Sequence, residues 1–299
     1  MLRALLVLAF AMIVAAAPAA HAQDDGARVY QLQPVGARIF TAFAVAKRGN
    51  EAPEPGAINP GVETDTNIFV LRYAQTFDLA GRPFTPFVIV PIGEVEASGA
   101  PRSGGFGDAQ IGATLGLIGA PALSSDEYAA FKPGLGLSLF GRVFFPTGEY
   151  SAAQPVNLGA NRAAYQIGLP TVLAWGGSYR DPALTTLEIL PTLTFYEDND
   201  DPFIGARSAK DPLFTVESHL THNFSQRVWL SADMLYRRGG ETITDGVGDD
   251  NGTHGWSAGG TVAFPLARAS LVLTYEHVVE RDDYGPDGWF FRTALILPL

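Results

Sequence analysis

A rhythm runs through this sequence and limits what it can fold into. About twelve segments of roughly ten residues have strand character, and the connections between them alternate long and short. The segments lie near 36–46, 66–77, 84–92, 107–118, 134–145, 164–175, 185–196, 213–224, 227–237, 255–264, 269–278 and 289–297. Within them apolar and polar residues alternate with a period of two, which sorts side chains onto opposite faces of a sheet. Leu187, Ile189, Leu193 and Phe195 oppose Glu188, Thr192 and Thr194, and Phe214, Val216 and Leu220 oppose Thr215, Glu217, His219 and Thr221. Leu230, Met234 and Tyr236 oppose Ser231, Asp233 and Arg237 in the same way.

Periodicity alone also suits a soluble sandwich; the connections separate the two. Residues 47–65, 93–106, 146–163, 197–212, 238–254 and 279–288 are long, and 78–83, 176–184, 225–226 and 265–268 are shorter. The stretch 119–133 is long where a short turn is due. This pattern predicts an all-β fold, an antiparallel up-and-down transmembrane β-barrel of about twelve strands with long external loops and short periplasmic turns. Hydrophobic residues make up 47% of the chain, yet no segment after the N-terminal stretch has the 18 or so consecutive apolar residues of a spanning helix. Aromatic residues near strand ends fit two interfacial girdles. Phe77, Trp175, Phe224, Trp229 and Phe264 are expected at the periplasmic girdle, and Phe144, Phe145, Tyr196, Tyr236, Trp256, Trp289 and Phe291 at the outer one. Pro170 and Pro191 fall inside neighbouring strands at similar heights, which implies either one local bulge or displaced strand limits.

The first 22 residues read as a secretory signal: Arg3, the apolar run Leu5 to Val14, and Ala20-His21-Ala22 before Gln23. Cleavage leaves one barrel domain, residues 23–299, destined for the outer membrane with lipid as its surroundings. That mature chain carries 19 basic and 31 acidic residues, a balance unsuited to nucleic acid. It has no cysteine, so burial and backbone pairing must hold it.

Several short motifs stand out. Gly105-Phe106-Gly107-Asp108 opens the fourth strand, Pro146-Thr147-Gly148-Glu149-Tyr150 follows the fifth, and Asn157-Leu158-Gly159-Ala160-Asn161-Arg162 comes after it. Phe195-Tyr196-Glu197-Asp198-Asn199, Lys210-Asp211-Pro212-Leu213 and Gly239-Gly240 complete the set. With these the chain resembles the bacterial family described as "Putative MetA-pathway of phenol degradation". The resemblance implies an outer-membrane barrel that takes up small, often aromatic or hydrophobic, compounds, and it carries over no catalytic residues. The chain departs from the family in having Ala163 after Asn161-Arg162, where an aromatic is usual, and its C-terminal Leu299 departs from the Phe or Trp that ends many outer-membrane barrels. Read physically, Pro146, Gly148 and Gly159 suit a tight exit from strand into loop. Asn161-Arg162 either folds its loop inward onto carbonyls or carboxylates or is simple turn chemistry.

No enzyme site is legible. Ser218 and His219 are adjacent in a strand and point to opposite faces, and no oxyanion motif accompanies His219 and Thr221. No metal or cofactor is expected; Asp245 to Gly252 resembles a calcium loop in composition only, lacking the spacing and the terminal Glu. The chemistry left is on the inward face: Arg72, Arg142, Glu188, Glu217, His219, Asp233, Glu276 and Arg292. Such a set either lines a selective passage or seals the lumen with ion pairs. Residues 23–35 are too short for a large plug domain. Two functions stay open: a channel or transporter for small solutes, and a closed barrel that presents loops. The sequence leaves the oligomeric state open.

Overall fold

A computed structural model describes residues 25–299 apart from residue 284, so the expected signal segment lies outside the described residues. The described residues form twelve barrel strands. They are β1 (Arg38–Gly49), β2 (Thr64–Gln75, continued by Phe77–Leu79), β3 (Arg82–Ala97), β4 (Gln110–Ile118, preceded by Ser103–Phe106), β5 (Leu135–Phe144) and β6 (Ala164–Gly168 with Thr171–Trp175). Then come β7 (Thr185–Tyr196), β8 (Leu213–Asn223), β9 (Trp229–Gly239), β10 (Thr253–Leu266), β11 (Ala269–Arg281) and β12 (Gly288–Pro298). Each pairs antiparallel with the next, and β12 pairs with β1 from Gly49↔Gly288 to Ile39↔Pro298. Leu299 extends this seam by donating its N–H to the Arg38 carbonyl at 2.9 Å. The barrel wall is closed: among the described residues each of its twelve strands pairs with a neighbour on both sides, as a spanning sheet requires.

The period of two decides what faces where. On β7, Thr186, Glu188, Leu190, Thr192 and Thr194 are buried in the lumen while Ile189 and Phe195 lie outside. Val70 and Ala74 of β2 point in, and Phe69 and Leu71 point out. Large apolar residues outside and polar ones inside reverse the soluble pattern and match hydrocarbon as the surrounding solvent. Inside, one apolar cluster joins Val70, Ala74, Phe87, Ile89 and Phe140 with Tyr30 against it.

Four details differ from the sequence reading. The stretch 93–106 is no long loop, because β3 runs on to Ala97 and pairs with Ser103–Phe106; Arg102 holds Glu94 and Glu96 across this hairpin at 2.9 Å each. The long connection 119–133 holds a helix, α1 (Ser125–Ala130), capped reciprocally by Ser124 and Glu127. The prolines make no bulge: β6 is interrupted at residues 169–170, but its register against β5 and β7 is the same on both sides. Register shifts occur instead at Gly116/Ile118 and Trp256/Ser257. Finally, Phe144, Tyr196 and Trp229 are not girdle residues; their parity turns them inward, where they meet charged and loop groups.

Candidate functional site

The two segments that flank β1 both enter the lumen, one from each end. In a ring of twelve strands β7 stands opposite β1, so contacts with β5 to β9 mean that a segment has crossed the interior.

Residues 25–37 form a floor on the short-turn side. The Asp25 N–H donates to Glu217 Oε2 at 3.1 Å, and its carboxylate pairs with Arg142 at 2.8 Å and accepts from the Tyr30 hydroxyl at 2.6 Å. The Arg28 N–H donates to Glu188 at 2.8 Å, its guanidinium to Thr221 at 2.6 Å, and its charge lies 4.5 Å from the Trp229 ring centre. Gln31 donates to Glu188 at 2.8 Å and Thr186 at 3.2 Å. Gly26 has φ +97, a backbone conformation that favours glycine, and it lies close against the Arg292 guanidinium. Beneath, the Val35 N–H donates to the Leu123 carbonyl, and Tyr128 of α1 stacks on Tyr179 at 5.4 Å. Burial there pushes the Tyr179 phenol up to about 12.

Residues 50–63 form a lid on the long-loop side. Glu51 is held by Lys47 of β1 at 2.8 Å and by Arg237 of β9. Glu54 is held by Arg162, in the β5–β6 loop, at 2.9 Å and by Lys210, in the β7–β8 loop, at 3.3 Å. Tyr196 donates its hydroxyl to the Pro55 carbonyl at 2.9 Å. The Lys210 side chain has no exposure; that burial lowers its pKa, against the opposing pull of the Glu54 carboxylate.

The sequence motifs meet at this lid. Asp108 accepts the N–H of Gly148 at 2.9 Å and of Ala160 at 2.8 Å, tying the two motifs after β5 to the one before β4. Gly148 and Gly159 pack backbone to backbone, and a Cβ on either would fall 2.7 Å from the other. Asn161, with φ 54, donates to Asn199 at 2.8 Å, and Asn199 donates to the Tyr150 hydroxyl at 3.0 Å. Arg162 donates to the Ser208 carbonyl at 3.0 Å as well as pairing with Glu54. Of the two readings of Asn161-Arg162, the inward fold is the one observed. In the acidic loop, Asp245 accepts from the N–H groups of Ala206 and Arg207, and Asp249 accepts from Thr244.

Between floor and lid lies a chamber of about 190 Å³. Phe43, Val45, Ile68, Val70, Ile89 and Phe290 form an apolar wall along β12, β1, β2 and β3. Arg142, Gln166, Thr215, Glu217 and Arg237 form a polar wall from β5, β6, β8 and β9, and Glu54 and Arg162 reach in from the lid.

All eight inward residues singled out in the sequence do face inward, at different depths. Arg142, Glu217 and Arg292 border the chamber. Glu188 is engaged by the floor. His219 meets Asp233 at 2.8 Å and lies 3.7 Å from Glu217, while Asp233 also accepts from Ser231 and, at 2.6 Å, Thr261. Arg72 lies over Phe87 at 5.0 Å, and Glu276 is wholly buried. Sequence reasoning missed Asp25, Lys47, Glu51, Glu54 and Lys210 as members of the site. One signal was available: Glu51-Ala52-Pro53-Glu54-Pro55-Gly56 is a stiff acidic stretch, and Lys47 stands four residues before Glu51.

The family model described as "Putative MetA-pathway of phenol degradation" matches residues 46–287. An outer membrane channel from Pseudomonas putida F1 superimposes with a TM-score of 0.74 at 19% identity, covering 93% of this chain and 100% of that one. The NalP autotransporter translocator domain from Neisseria meningitidis gives 0.49 at 10% identity, covering 89% and 90%. The beta domain of the Bordetella autotransporter BrkA gives 0.48 at 8% identity, covering 88% and 100%. No curated protein sequence matches. The high coverage of the first structure places the fold among outer-membrane barrels.

Proposed function

Because the chain belongs to the family described as "Putative MetA-pathway of phenol degradation", and its fold is that of an outer-membrane barrel, we propose that it is an outer-membrane channel for small aromatic or hydrophobic solutes. Residues 1–22 are removed on export, lipid surrounds the apolar outer band, and no catalysis is involved. The observation that carries this reading is the chamber, with a largely apolar wall facing a charged one. An apolar cavity of about 150 Å³ accepts a benzene, so the space fits a single ring with one polar substituent. Arg142, Glu217 and Arg292 act on solutes there, and Arg72, Glu188, His219, Asp233 and Glu276 shape the path below.

The test is single-channel recording of the purified protein in a planar bilayer. Arg142→Glu is expected to shift ion selectivity towards cations. Asp233→Arg, beside buried His219, is expected to prevent folding rather than alter selectivity. Unchanged selectivity in a folded Arg142→Glu barrel contradicts the assignment. The obstructed ends of the lumen favour a second reading, a sealed barrel that presents its loops, and complete absence of current would support it.

A further inference from the structure

The lid is held by a contact of the kind a solute could make. Arg162 and Lys210 converge on one carboxylate, that of Glu54, from two different loops. Both cations are buried: the Arg162 side chain is 7% exposed and the Lys210 ammonium fully enclosed. Neither comes from the lid itself, so the pair stays in place if the lid moves. Arg162 is fixed independently through the Ser208 carbonyl, and Lys210 lies 5.0 Å from the Tyr196 ring centre. Glu54 and Arg162 both line the chamber, so an anion within it reaches this contact without crossing another barrier.

We propose that Arg162 and Lys210 form a carboxylate-binding site that the lid's own Glu54 occupies in the closed state, and that a small aromatic carboxylate competes for it and releases the lid. The ring of such a solute lies along the apolar wall at Val45, Ile68 and Phe290 while its carboxylate takes the place of Glu54. The exchange replaces one charge-assisted contact by an equivalent one, so two buried cations are never left without an anion. A neutral aromatic of the same size fills the apolar wall and leaves the lid shut. The inference rests on the chamber being a solute site, the reading proposed above.

Equilibrium binding of benzoate and of toluene to the detergent-folded full chain tests it. Removing the competing carboxylate with Glu54→Gln is expected to strengthen benzoate binding by about tenfold or more, the worth of a charge-assisted contact. Toluene affinity is expected to stay put, and adding Lys210→Met to Glu54→Gln should abolish the gain. Unchanged or weaker benzoate binding by Glu54→Gln, or an equal gain for toluene, overturns the proposal. Should Glu54→Gln fail to fold, Ile58→Cys in an otherwise unaltered chain serves instead, since Ile58 is a buried residue of the lid itself, exposed only when the lid lifts, and the sequence has no other cysteine. Its maleimide labelling should accelerate with benzoate and not with toluene, and labelling indifferent to benzoate overturns the proposal. Benzoate binding in this pattern by a barrel that passes no current would end the channel reading alone; current without the benzoate pattern would end this inference alone.

Discussion

The floor and the lid make an instructive pair, because both flank β1, both cross to the opposite wall, and they are held by different forces. The floor is held mainly by hydrogen bonds spread over Asp25, Arg28, Tyr30 and Gln31, with an ion pair from Asp25 to Arg142. The lid has hydrogen bonds too, from Tyr196 to Pro55 and between Asn50 and the β11–β12 loop, but its charged attachment is concentrated on two carboxylates, each shared by two cations. A distributed attachment loses little when one member goes. A concentrated one fails as a unit, and it is the arrangement expected of a segment that must let go. The barrel walls are indifferent to both, since their backbone pairing closes without either segment.

The largest expected effect lies at Glu51, whose side chain is only 2% exposed. Glu51→Gln takes away the buried carboxylate that Lys47 and Arg237 share and should cost about 3–5 kcal/mol, read as a lower urea midpoint of the detergent-folded protein. Its counterpart in the floor, Asp25, is 15% exposed and has backbone and hydroxyl partners to share the loss. Asp25→Asn should therefore cost about 1–3 kcal/mol. Equal costs at the two sites would erase the distinction between concentrated and distributed attachment. Tyr196→Phe removes one neutral hydrogen bond from the lid and should cost about 1 kcal/mol, with faster maleimide labelling of an Ile58→Cys reporter. The smallest effect is expected for Trp229→Phe, which keeps a ring packed on Ala263 and Val272 but weakens the aromatic face beneath Arg28, at about 0.5–1 kcal/mol. Labelling of the Ile58→Cys reporter should not change in that variant; a change would mean that floor and lid are coupled.

The walls were legible in the sequence and the two crossing segments were not, for a physical reason. A strand declares itself through its own period, so Thr185–Tyr196 and Leu213–Asn223 emerge within a residue of their limits, and the inward parity of Arg142, Glu217 and Asp233 follows directly. Residues 25–37 and 50–63 have no period. Their positions depend on partners such as Glu217 and Arg237, more than 180 residues away along the chain. Residues 23–35 were too short to suggest a plug domain, and none is needed, because the short turn-rich segment 25–37 crosses a narrow lumen by itself. The three misplaced aromatics carry the same lesson. Phe144, Tyr196 and Trp229 lie at strand ends as girdle residues do, but strand parity decides the face, and it turns them to the interior.

The central claim is that two independent obstructions lie in series along one lumen. Single-channel conductance tests it most directly, comparing the intact barrel with deletions of residues 25–33, of residues 53–57, and of both. Resistances in series add, so either deletion alone should raise conductance only modestly, because the other obstruction still limits the current. Removing both should raise it by more than the two single gains together. If one single deletion already gives the full conductance of the double deletion, only one obstruction exists and the account of a chamber closed at both ends is contradicted.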